Sequence, residues 1–133
     1  QGMLLIYGCY IDEISPEQGR GFGAEGNLLT AAEMATFWHN YLVRPTEGLN
    51  PLVSPLRAEL AGLPAAFVIG AQCDVLAEQS RALGAKLERA GVDVRFTEYP
   101  GAPHSFLEAV SIADVADRAI ADGATWLREL FQR

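Results

Sequence analysis

At 133 residues the chain has the length of one ordinary domain, and half of its residues are hydrophobic while 20% are charged, a balance that fits a globular protein with a real core. The formal net charge of −7 and the pI near 4.7 argue against a nucleic-acid or anionic-membrane partner, since both are held by clustered Lys and Arg and the 10 basic residues here are scattered singly. No apolar run approaches the roughly 20 residues needed to span a bilayer, and no leader-like pattern opens the chain; no membrane span is expected, and the compartment is left open with the cytoplasm favoured.

Met3 to Tyr7 (MLLIY) is a continuous apolar run, the pattern of a strand buried on both faces in a parallel sheet. From Cys9 to Asn27 the composition turns to Gly, Pro, Glu, Asp and Gln. Ser15-Pro16 and the glycines at 19, 21, 23 and 26 break any period there, so a long loop is expected. Thr30-Ala31-Ala32-Glu33 has the spacing of a capping box and predicts a helix running to about Leu42, with Pro45 marking its end. Met34, Phe37, Trp38 and Tyr41 share one face of it. Such a stripe is either the wall of a substrate pocket or a plain packing surface, and the spacing serves both readings.

Asn50 to Leu63, with Pro51, Pro55 and a short apolar turn, is a connector. Ala65 to Gly70 (AAFVIG) is a second buried strand, Glu78 to Ala90 a helix with Leu83, Leu87 and Ala90 inward, and Gly91 its left-handed stop. Val92 to Tyr99 resumes as a strand, and a strand-helix-strand unit makes the two strands parallel. Pro100-Gly101 reads as a turn leading into a loop that carries His104. Ser111 to Phe131 closes the chain as an amphipathic helix, opened by a second capping spacing, Ser111 to Asp114. The fold class is therefore α/β, parallel strands with covering helices.

In such a sheet ligands bind beyond the carboxyl ends of the strands. Asp74 and His104 both fall at such ends, on strands the crossover makes neighbours. A carboxylate that accepts one imidazole N–H fixes the tautomer and leaves the other nitrogen free as a base. Against this, an Asp after a strand often only caps the following helix, and a His after Pro can be surface decoration. His39 reads as structural. Cys9 and Cys73 have no CxxC spacing and read as small buried hydrophobes. Two separated histidines with no HxH or HExxH pattern indicate no metal site, and no cofactor is implied.

The stretch LPAAFVIGAQCDVLAEQSRALGAKLERAGVDVRFTEYPGAPHSF, preceded by FGAEGNLLTAAEMATFWHNYL and NPLVSPL, resembles the C-terminal catalytic part of the α/β-hydrolase family of hormone-sensitive-lipase type, the esterase and acetyl-hydrolase group. The resemblance implies that residues 1–133 are the C-terminal half of one α/β-hydrolase domain, with 8–62 a lid or connector insertion and 63–133 the strand-helix-strand-loop-helix part. It implies that Asp74, in Asp74-Val75-Leu76, is the acid of a triad and His104 its base, although Ser105 stands where the family often has Gly. Phe37, Trp38 and Tyr41 would border the acyl pocket.

The family also needs a serine in GxSxG and a Gly-rich oxyanion loop earlier in the chain. Ser15, Ser54, Ser80, Ser105 and Ser111 are the serines here, and none has that setting. The expectation is therefore a carboxylic ester hydrolase for short-chain or aryl esters whose serine comes from an upstream segment or a second polypeptide. The free face of Met3 to Tyr7 would pair with that segment. A non-catalytic binding module on the same scaffold, or an inactive fragment, is the alternative.

Overall fold

The computed structural model describes residues 1–132. In chain order the elements are β1 (Gly2–Ile6), α1 (Pro16–Arg20), α2 (Ala31–Tyr41), β2 (Ala65–Cys73), α3 (Ala77–Arg89), β3 (Val94–Pro103) and α4 (Asp114–Phe131), with 3-10 turns at Pro45–Leu49, Pro55–Arg57 and Phe106–Ala109. The strands form one parallel sheet in the order β1-β2-β3.

β2 takes the centre because it is apolar on both sides. Phe67, Ile69 and Ala71 face a core completed by Ala116, Ala119 and Trp126 of α4. Ala66 and Val68 point the other way, onto Leu83 and Leu87 of α3 and Val92. Each large side chain so removed from water contributes about 1.5–3 kcal/mol, so the period-2 alternation of one strand fixes two helical layers at once. β1 is an edge strand, paired with β2 from Gly2↔Ala65 to Ile6↔Ile69. Among the described residues no helix is long and apolar enough to cross a membrane.

The capping box forms: the Thr30 hydroxyl accepts from the Glu33 N–H at 3.1 Å and the Glu33 carboxylate accepts from the Thr30 N–H at 2.8 Å. Five expectations need correction. The Cys9–Asn27 stretch is not loop throughout, because Ser15 caps a short helix and Pro16 occupies its first turn, where a missing N–H costs nothing. Pro100-Gly101 does not end β3, which runs on to Pro103. A register shift between Ala71 and Cys73 absorbs the irregularity, and the Gln72 side chain accepts the Gly101 N–H at 2.8 Å. The Ser111 box is absent: Ser111 sits at φ 65°, its N–H donates to Asp117, and α4 begins at Asp114. β1 stops at Ile6 because Tyr7 turns to φ 29°. Both cysteines are free and half-buried rather than buried.

Segment 8–62 is tied to the sheet layer at its root. The Gln79 carboxamide oxygen accepts from Tyr10 N–H (2.7 Å) and Ile11 N–H (3.1 Å), while its NH2 donates to the carbonyls of Ile11 (3.1 Å) and Glu13 (2.9 Å). Further along, Leu29 and Met34 pack on Val75 and Leu76 in a separate small core.

Candidate active site

The sheet register brings the two candidate residues together. Cys73 and Pro103 are partners across β2 and β3, so the residues that follow them, Asp74 and His104, leave neighbouring parallel strands side by side. His104 Nδ1 lies 2.8 Å from Asp74 Oδ2, with the Asp74 side chain 1% exposed and that of His104 22%. The other carboxylate oxygen, Oδ1, accepts the Leu76 N–H at 3.0 Å. Helix-start bonding and imidazole pairing, alternatives in the sequence, are thus divided between the two oxygens of one carboxylate. The Asp74 carbonyl is occupied as well, by the Ala77 N–H at 3.0 Å and by the amide of buried Gln18.

An Asp74 carboxylate can only accept, so Nδ1 carries the proton and Nε2 holds a lone pair. Among the described residues Nε2 makes no hydrogen bond. This is the arrangement of an imidazole able to take a proton from a third group.

His104 borders a cavity of about 420 Å³ whose other walls are Tyr7 and Cys9 after β1, Leu29, four residues of α2 (Met34, Phe37, Trp38 and Tyr41), and Leu76 before α3. Asp74 stands behind His104 and does not line the cavity. Phe37 and Tyr41 are 55% and 66% exposed, too open to be core. Trp38 is half-buried and packs edge-on against Tyr41. Their stripe and His104 therefore converge on one mostly apolar space. His39 points elsewhere and is exposed. The Tyr7 ring meets the His104 ring edge-on, centroids 5.1 Å apart. Burial, and after it the Glu108 charge, raises the Tyr7 phenol, which stays neutral. No motif in the sequence marks Tyr7, Cys9, Leu29 or Leu76 as cavity residues, whereas Met34 lies on the stripe already read there. The position of Tyr7 at a strand's carboxyl end is the signal that would have found it.

Among the described residues no serine lines the cavity. Ser54 and Ser80 are buried away from it, Ser15 caps α1, and Ser105, at φ 60°, follows His104 without sharing its space. The cavity's thiol is also a poor nucleophile, since burial pushes Cys9 up to about 11. At pH 8 such a group is roughly one part in a thousand thiolate. Iodoacetamide at that pH is expected to leave Cys9 unmodified over a period that fully alkylates the denatured chain. Rapid alkylation of the native protein, read by peptide mass, would refute the neutral thiol. No cluster of three or more His, Cys, Asp or Glu among the described residues could hold a metal ion.

Comparison with known proteins places the chain. A family model described as alpha/beta hydrolase fold matches residues 1–108. An ethyl acetate hydrolase of Pseudomonas putida is 36% identical over 96 residues, covering 71% of this chain and 30% of that protein. Among solved structures, a hyperthermophilic esterase of Pyrobaculum calidifontis superposes with a TM-score of 0.91 at 30% identity, over 98% of this chain and 43% of that one. A thermostable esterase of Pseudomonas putida gives 0.82 at 32% identity, over 89% and 38%. The chain thus spans less than half the length of the relatives it matches.

Proposed function

The chain belongs to the α/β-hydrolase fold family, and on that premise we propose that it is the acid-and-base-bearing half of a serine carboxylic ester hydrolase. The observation that carries the proposal is the 2.8 Å bond from His104 Nδ1 to buried Asp74 Oδ2 at the wall of an apolar cavity. A serine from an upstream segment or a second polypeptide, seated along the free edge of β1, attacks the ester carbonyl. His104 Nε2 takes its proton as the tetrahedral oxyanion forms, and Asp74 stabilises the resulting imidazolium. Collapse expels the alkoxide, which His104 protonates, leaving an acyl-serine. Water, deprotonated by the same nitrogen, then releases the carboxylic acid and restores the serine.

Segment 8–62 acts as the lid, with Phe37, Trp38 and Tyr41 bordering the acyl or aryl group. A space of about 420 Å³ suits a short-chain or aryl ester and not a long-chain triglyceride. The test is a fluorophosphonate probe applied to the complete protein that carries this chain, followed by peptide mapping. One labelled serine in a GxSxG peptide, distinct from Ser15, Ser54, Ser80, Ser105 and Ser111, is the expected result. No labelling, or labelling of Ser105, would overturn the mechanism.

A further inference from the structure

We propose that Tyr7 is a positioning residue for the His104 imidazole, holding the ring at the tilt that turns Nε2 toward the cavity. The inference deepens the esterase reading and rests on it. Asp74 grips His104 by one hydrogen bond at one ring nitrogen. That bond and the Cβ–Cγ bond hold the ring at two points. Coupled rotation about χ1 and χ2 can still rock it about the line between them, so a further contact is needed to set the tilt. The Tyr7 ring stands against the imidazole at 5.1 Å and 64°, an edge-to-face contact of the kind aromatic rings favour. Phe106 backs Tyr7 from another side at 5.7 Å and is itself braced by Tyr99 at 5.5 Å. Phe106 belongs to the 3-10 turn that follows His104, so the turn that carries the imidazole also carries the ring that backs Tyr7.

The backbone points the same way. Tyr7 sits at φ 29°, a region that non-glycine residues seldom occupy and that persists only where the surroundings over-determine it. Its N–H is still fixed to the Ile69 carbonyl at 2.7 Å, and a Cβ on Gly8 would strike the Tyr10 ring at 2.7 Å. The turn is thus locked to the sheet and crowded, which aims the Tyr7 side chain at His104.

The experiment compares Y7F and Y7L in the complete protein, using p-nitrophenyl acetate hydrolysis and the downfield proton resonance of the His104 Nδ1–H. Y7F keeps the ring and is expected to retain kcat within about 2-fold. Y7L removes it, and kcat is expected to fall about 10-fold with KM changed less than about 3-fold and the Nδ1–H resonance broadened or displaced. Where Y7L does not fold, Y7N replaces it, since Asn tolerates positive φ best among residues with side chains. An unchanged kcat and an unchanged resonance in the ring-less variant would overturn the proposal. Equal losses in Y7F and Y7L would also overturn it, by placing the effect in the hydroxyl. Should H104A leave hydrolysis intact, the esterase reading fails on its own, and the resonance still decides whether Tyr7 holds the ring.

Discussion

His104→Ala in the complete protein is expected to lower kcat for p-nitrophenyl acetate by on the order of 10⁴- to 10⁶-fold, the range found when the base of a serine triad is removed. The size follows from the wiring, since among the described residues only His104 presents a free imidazole nitrogen to the cavity. A stability control belongs with this variant. Asp74 is 2% exposed, and removing the partner of a buried carboxylate costs about 3–5 kcal/mol unless the group takes up a proton. His104→Gln separates the two effects, because a carboxamide N–H can still donate to Asp74 Oδ2 while offering no base. H104Q is expected to keep the wild-type unfolding temperature and still lose activity as H104A does. Undiminished turnover in H104Q would remove His104 from the mechanism.

Asp74→Asn acts through the tautomer. The Asn oxygen can keep the Leu76 N–H bond that Oδ1 now makes at 3.0 Å, so the start of α3 survives. Its NH2 then faces Nδ1, which must present a lone pair, and the proton moves to Nε2, where a base is needed. A fall in kcat of about 10⁴-fold is expected, with KM little changed because Asp74 does not line the cavity. Asp74→Ala should show a further loss absent from D74N: the Leu76 N–H is left buried without an acceptor, at a cost of about 1–3 kcal/mol, read by denaturant unfolding. Wild-type kcat in D74N would show that His104 does not depend on this carboxylate.

The parts of the fold legible in the sequence are those set by short-range pattern. The apolar run Ala65 to Gly70, the period of Leu83 and Leu87, and the Thr30–Glu33 box each state their own conformation. Where the pattern misleads, a partner distant in sequence has overridden it. Pro100-Gly101 reads as a turn but lies in strand because Gln72, 29 residues away, supplies the acceptor the ladder lacks. Ser111 resembles a cap but spends its N–H on Asp117. The approach of Asp74 to His104 could be inferred, since parallel neighbours end at the same edge. The cavity could not. Its walls come from the end of β1, from Leu29 and α2 and from the start of α3, and only the packing of Leu29 and Met34 on Val75 and Leu76 brings them to one place.

The four hydrogen bonds of the Gln79 carboxamide act as a staple. They clamp residues 10–13 to α3, and the Gln18 amide on the Asp74 carbonyl ties the chain to the same sheet edge a second time. Tyr7 and Cys9 precede that clamp and stand beside His104, while Leu29, Met34, Phe37, Trp38 and Tyr41 follow it in the chain. The cavity therefore has one wall that bears His104 and a second wall of aromatic and aliphatic side chains supplied by a separate segment. Substitutions on that second wall should retune which esters are admitted while the proton relay stays in register.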